Sequence, residues 1–270
     1  MSGSLNRGQP YIVSGRPGVT RSFADGFRLV ADYPGQMLGP MFAILVPVAV
    51  VIAIATAVLY LTAFDDRDPS NPYTLSGEGS ELFLILVVSG IQIFFSVIAG
   101  AATIAAAAAC ARGAPLRLVE ALDVAFSGIG RILLLLLGLN LAMAILVFSI
   151  IGIPVALYLA VRLVFAIHSL VLESPGVPGA LSNSWDYTRG NFLPVAGLLL
   201  LAALALVVAI LFASMLSLIE PAGRSAEIVT IAGVNILQSI IIIPIEAAIV
   251  SMMTLFYLNL KAQEHDAASA

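Results

Sequence analysis

Six stretches of this chain run for about twenty residues or more with one charged side chain or none, at residues 38–64, 82–111, 132–151, 154–172, 192–219 and 228–258. An α-helix rises 1.5 Å per residue and the hydrocarbon core of a bilayer is about 30 Å thick, so roughly 20 apolar residues are needed to cross it. Nothing else in the sequence constrains the fold as strongly. A water-soluble domain has about 25% charged residues, whereas this chain has 10% charged and 60% hydrophobic residues. Apolar side chains in that proportion cannot all be hidden in a soluble core.

The third and fourth runs are separated only by the turn chemistry of Ser149-Ile150-Ile151-Gly152-Ile153-Pro154. Glycine permits a tight turn and proline opens the following helix, so this segment predicts a helical hairpin. Lysine and arginine set the orientation. With the N-terminus in the cytoplasm, Arg7, Arg16, Arg21, Arg28, Arg112, Arg117, Arg131, Arg189 and Lys261 fall inside, and Arg67 and Arg224 outside. The acidic segment Asp65-Asp66-Arg67-Asp68 also suits the outer side. Both termini are thus expected to be cytoplasmic.

The cytoplasmic connections have helical periodicity of their own. Residues 20–32 present Phe23, Phe27 and Val30, residues 116–129 present Val119, Leu122, Phe126 and Ile129, and residues 178–188 present Leu181, Trp185 and Thr188. Charged or amide residues lie between them: Asp25, Arg28 and Asp32, then Glu120 and Asp123, then Asn183 and Asp186. Each segment reads as a short amphipathic helix at the membrane surface. The order of surface helix, outward span and inward span recurs three times. The expected fold is an all-α integral membrane protein with six transmembrane helices in three hairpin-like repeats, each preceded by a short amphipathic cytoplasmic interfacial helix. A single membrane domain would occupy residues 19–262, between a disordered tail at 1–18 and a polar tail at 263–270. The first thirty residues lack the apolar core of a secretory signal, so the first span is expected to serve as the targeting signal.

Several function classes are excluded. The net charge is −4 without a basic block, so the footprint of a nucleic-acid binder is missing. The single cysteine, Cys110, rules out an internal disulfide, and two histidines do not furnish a typical zinc site. HExxH, GxSxG and GxxxxGK[ST] are absent. No catalytic residue, metal or cofactor is expected. Ala101, Ala105 and Ala109 form a small-residue face that favours close helix packing, with a homo-oligomer interface as the sharper reading.

Charges inside the spans are the most informative residues. Isolated charge at the bilayer centre costs at least about 2.5–3.5 kcal/mol, so such groups find partners or face a polar interior. Arg162 lies about 16 Å, and Glu246 about 20 Å, above the cytoplasmic ends of their helices, which makes an Arg162–Glu246 pair the natural expectation. It would be either a structural bridge or part of a polar pathway. Pro244, two residues from Glu246, predicts a kink there, as Pro47 does in the first span. His168 reads as a satisfied histidine near the interface, and Gln92, Asn140, Asn235 and Gln238 as bonds between helices.

Residues 162–192, RLVFAIHSLVLESPGVPGALSNSWDYTRGNF, are the most distinctive segment. With Arg162, Glu173, Ala180, Leu181, Ser184, Trp185, Thr188, Arg189, Gly190, Asn191 and Phe192 in place, this segment resembles the membrane domain associated with some bacterial glycerophosphoryl diester phosphodiesterases and its stand-alone multi-pass relatives. The ending at 254–264, TLFYLNLKAQE, is similar to that family's closing segment, with Asn259 and Lys261 departing from its acidic and Arg residues. The resemblance implies a six-span fold in a bacterial plasma membrane without an assigned activity. Phosphodiesterase chemistry belongs to a separate soluble domain and is not expected of this chain. Glu173, Ser184, Trp185, Arg189 and Gly190 form the candidate interfacial motif. Glu173 is expected to bond the surface helix's first amides or to pair with Arg189. The sequence therefore reads as a non-enzymatic membrane protein, a scaffold or regulatory partner; the alternative is a small-solute transporter or channel using Arg162 and Glu246. The lipid bilayer is the expected partner, with a membrane-protein partner or a second copy beside it.

Overall fold

The computed structural model describes Tyr11 and residues 18–65, 78–149, 152–218 and 224–269. Among these residues all regular structure is helical: α1 (Val19–Asp32), α2 (Pro34–Asp65), α3 (Glu78–Ala111), α4 (Leu118–Val147), α5 (Gly152–Leu163), α6 (Ala166–Glu173), α7 (Val177–Thr188), α8 (Phe192–Ser214), a 3₁₀ turn (Met215–Leu218) and α9 (Arg224–Ser269). Six segments are long and apolar enough to cross a membrane, the fourth being α5 and α6 together. The tail at 1–18, apart from Tyr11 and Gly18, and the acidic loop beyond Asp65 lie outside the described residues.

The boundaries differ from the sequence expectation in three places. The segment at 116–129 is not a separate helix but the first part of α4, which continues unbroken to Val147. Glu120 starts it by accepting the Arg117 amide at 2.8 Å, and Arg131, which resembles a boundary, instead donates to the Ser174 carbonyl at 3.4 Å. At the other end, α9 carries the helix through the polar segment to Ser269. Conversely, the fourth span is broken between Leu163 and Ala166, although no glycine or proline stands there. The prolines Pro40, Pro47 and Pro244 all lie within continuous helices.

The bundle has two unlike ends. Ile98 to Ala111 of α3, Ala121 and Ala125 of α4, Phe165 and Leu170, and Met252 to Leu260 of α9 form one buried core. We call this the packed end. Its density follows from small residues: Ala101, Ala102 and Ala105 to Ala108 are buried within the monomer, while Ala109 of the small-residue face stays partly exposed. Gly26 of α1 shows the same closeness, because a Cβ there would stand 2.7–2.9 Å from Met252 atoms that include its backbone. The face of α1 that buries is Ser22, Gly26 and Leu29, while Phe27 turns outward.

At the opposite end, large apolar side chains of α4 and α8 face outward, including Leu137, Leu141, Leu200 and Leu204. We call this the exposed end. Here α4 and α5 meet in the hairpin expected from Gly152. Its amide donates to Ser149 O at 2.9 Å, and a Cβ on it would stand 1.9 Å from the Leu146 carbonyl oxygen.

Candidate functional site

The break in the fourth span positions the first cluster of polar groups. Interrupting a helix leaves the backbone groups at the break without their helical partners, and such groups need others when buried. Ser184 of α7 satisfies them: its hydroxyl donates to the Arg162 carbonyl at 2.8 Å and accepts the Phe165 amide at 3.1 Å. The buried face of α7 is accordingly Ala180, Ser184 and Thr188, and Asn183, expected to be exposed, turns inward.

Arg162 ends α5 inside an aromatic box. Its guanidinium carbon stands 4.9 Å from the Trp185 ring centre, 5.2 Å from Tyr158 and 5.7 Å from Phe192, and its Nε donates to the Tyr158 hydroxyl at 2.9 Å. Facing π-electrons of three rings supply the negative potential a cation needs where water is scarce. Gly190, at φ +84°, makes the turn that carries the chain from α7 to Phe192 of this box.

Glu173, at the end of α6, gathers donors from two other helices. Its Oε1 accepts from Lys261 Nζ at 2.8 Å, from the Tyr187 hydroxyl at 3.2 Å and from the Tyr257 hydroxyl, while Oε2 accepts from Asn183 Nδ2 at 3.0 Å. Burial, followed by the adjacent Glu173 carboxylate, pushes the Tyr187 hydroxyl up to about 12, so it stays protonated and donating. The expected pairing of Glu173 with Arg189 is not made. Arg189 follows the last turn of α7 and is exposed, whereas Glu173 is met by Asn183 and Tyr187 of that helix and by Tyr257 and Lys261 of α9.

Arg162 and Glu246 are likewise not brought together. Among the described residues no ion pair joins them, because Arg162 is held by the box formed with α7 and α8 while Glu246 lies between α2, α3 and α9. Glu246 lines a cleft of about 390 Å³ with Gln92, Ser96, Gln238 and Ser239 among its polar wall residues. Gln238 donates to the Ala213 carbonyl of α8 at 3.2 Å, an interhelical bond of the kind expected of it. Asn140 bonds within its own helix, to Leu136 O at 2.8 Å, and the Asn235 side chain lies outside the described residues.

A second cleft, of about 460 Å³, opens on the other side of α3 and shares Gln92 and Ser96 with the first. His168 lines it. The histidine is 7% exposed, and neither ring nitrogen reaches a partner at hydrogen-bond geometry, although the Val164 carbonyl approaches the ring. Its ring centre stands 5.7 Å from Phe165 and 5.8 Å from Tyr257, the residue that also bonds Glu173. Ser96 and Tyr257 were not singled out from sequence. The available signal was spacing, since Gln92 and Ser96, like Tyr257 and Lys261, are four residues apart and share a helix face.

These features define a multi-pass α-helical membrane protein with polar clefts inside an otherwise apolar bundle. The chain belongs to the family of the membrane domain of glycerophosphoryl diester phosphodiesterase, whose model matches residues 130–270, from within α4 to the end of the chain. The matched part holds Arg162, His168, Glu173 and Glu246, while Gln92 and Ser96 precede it. Comparison with curated proteins and with solved structures returned no match.

Proposed function

We propose that this chain is a carrier or channel for a small cation that donates hydrogen bonds, with Glu246 as the anionic binding group. The observation that carries this reading is the Glu246 carboxylate: among the described residues it has no ion-pair partner, and it lines a cleft together with Gln92, Ser96 and Gln238. A carboxylate within a span is costly unless a counter-charge or polar wall meets it. Amide and hydroxyl oxygens beside a carboxylate suit a cation with several N–H donors. A scaffold role, the other reading of the sequence, draws on no specific contact. A second copy or a protein partner would have to use the outward faces of α4 and α8.

In this reading the protein is non-enzymatic and sits in the bacterial plasma membrane as one domain over residues 19–262, with both termini cytoplasmic. The packed end then lies on the cytoplasmic side. This reading puts α1, the start of α4 and α7 at the interface, so that Phe27, Phe126 and Trp185, each partly exposed, would meet the lipid headgroup region.

Guanidinium, which stays charged and carries only donors, is a suitable probe. Proteoliposomes containing the full chain are expected to accumulate labelled guanidinium along an imposed inside-negative potential, and Glu246→Gln to reduce uptake to that of protein-free liposomes. Uptake undiminished in a folded Glu246→Gln protein would sink the proposal.

A further inference from the structure

All residues lining the second cleft lie within candidate spans, and none of them is charged. Its volume of about 460 Å³ falls in the range of small-molecule sites, roughly 300–1,000 Å³. Ile93 on its rim is 64% exposed, which puts the opening on the outer surface of the bundle at membrane depth. Aliphatic side chains make most of the wall, and the polar side chains on it are Gln92, Ser96 and His168. An apolar lining with a few convergent polar groups suits a molecule that has an apolar body and one polar end.

The polar groups narrow the chemistry of that end. Neither ring nitrogen of His168 has a partner at hydrogen-bond geometry. The Val164 carbonyl approaches the ring and favours the N–H on that side, which leaves the other nitrogen an acceptor that lacks a donor. With no charge on the wall, an ionised headgroup would enter without a counter-charge, so carboxylates and phosphates are disfavoured. An ester, ether or ketone carries no donor. A hydroxyl carries one, and its lone pairs can accept from Gln92 or Ser96. The histidine nitrogens are buried, so an occupant reaches them only by parting wall side chains. An apolar chain replaces the contacts those side chains give up, whereas water does not.

We propose that the second cleft is a lipid site that takes one uncharged, single-chain alcohol from the bilayer, its hydroxyl donating to His168 and its chain lying along Val97, Gly100 and Ile104 of α3. Gly100 fits this role, because a Cβ there would meet nothing within 4 Å and the α3 face is open along the chain's course. The site stands independently of cation binding at Glu246, although Gln92 and Ser96 border both clefts.

The test uses the full chain in liposomes and a ten-carbon primary alcohol carrying a diazirine in its chain, with crosslinked residues mapped by mass spectrometry. Saturable labelling is expected within residues 92–104 of α3 and 164–168 of α6. 1-Decanol should displace it at a membrane mole fraction roughly three- to tenfold lower than decyl methyl ether, the advantage of one hydrogen bond. Gly100→Leu, which fills the cleft from an open position, should remove the saturable labelling. His168→Phe, which keeps a ring against Phe165 and Tyr257, should abolish the difference between alcohol and ether. Folding of each variant is checked by the thermal transition of Trp185 fluorescence. Equal displacement by alcohol and ether in the wild type overturns the proposal, as does stronger displacement by decanoate or decylammonium. So does saturable labelling of these segments that survives in a folded Gly100→Leu protein. The cation reading is decided separately, by whether guanidinium uptake depends on Glu246.

Discussion

The two ends of this bundle are built from the same kinds of apolar residue but hold together differently. At the packed end, alanines and a glycine bring backbones close, aromatic rings fill the space left, and Glu173 draws α6, α7 and α9 to one carboxylate. At the exposed end, leucine and valine of α4 and α8 point away from the protein. Within hydrocarbon, an outward leucine gains nothing by turning inward, since lipid tails are as apolar as its neighbours; helix association comes from close packing and hydrogen bonds. The comparison teaches that apolar content placed these helices in a membrane, while small residues and a few polar groups decided where they touch.

Substitutions can break or sharpen that contrast, with stability measured as the thermal transition of Trp185 fluorescence in mild detergent. The largest effect is expected for Phe165→Ala, which empties a fully buried ring position stacked 6.1 Å from Phe256 and should cost roughly 3–5 kcal/mol. Gly26→Val forces atoms into the Met252 backbone and should cost about 1–3 kcal/mol. Glu173→Gln keeps the shape but weakens the charge-assisted bonds from Lys261, Tyr187 and Tyr257, a loss of about 1–2 kcal/mol. Arg162→Gln removes the cation from the aromatic box and should cost about 0.5–2 kcal/mol, with a changed Trp185 emission maximum. Leu204→Ala, at the exposed end, should stay within about 0.5 kcal/mol. If Leu204→Ala lowers the transition as far as Phe165→Ala does, the two ends are not distinct and the contrast is void.

Much of this architecture was legible before the structure, and the exceptions share a cause. Runs of uncharged residues announced the six spans because burying a charge in lipid is expensive, and Gly152 announced the hairpin because no other residue fits beside the Leu146 carbonyl. The break after Leu163 was not legible. It depends on the Ser184 hydroxyl, about twenty residues away, taking over the bonds that a continuous helix would have made. Arg162 was correctly marked as a charge that needs a partner, but charge pairing suggested Glu246, whereas the fold supplied three ring faces. Trp185 and Phe192 were visible in the distinctive segment, though nothing local indicated that they would close around that side chain. The clefts were illegible for the same reason, since Gln92 meets Glu246 and His168 only once α3 stands between α6 and α9.

The Ser184 hydroxyl also has a consequence for how the protein is made. A ribosome delivers Phe165 to the membrane before Ser184 exists, so the hydroxyl that bonds the backbone groups at the break between α5 and α6 is missing when these helices first arrive. Either these residues form one straight helix at first, bending when α7 arrives, or they wait at the headgroup level until it does. In both cases the fourth span reaches its final form only after the next nineteen residues have been synthesised. Ser184→Ala should therefore slow assembly of newly made chains, seen as prolonged protease sensitivity after a pulse label, more than it loosens chains that have already folded.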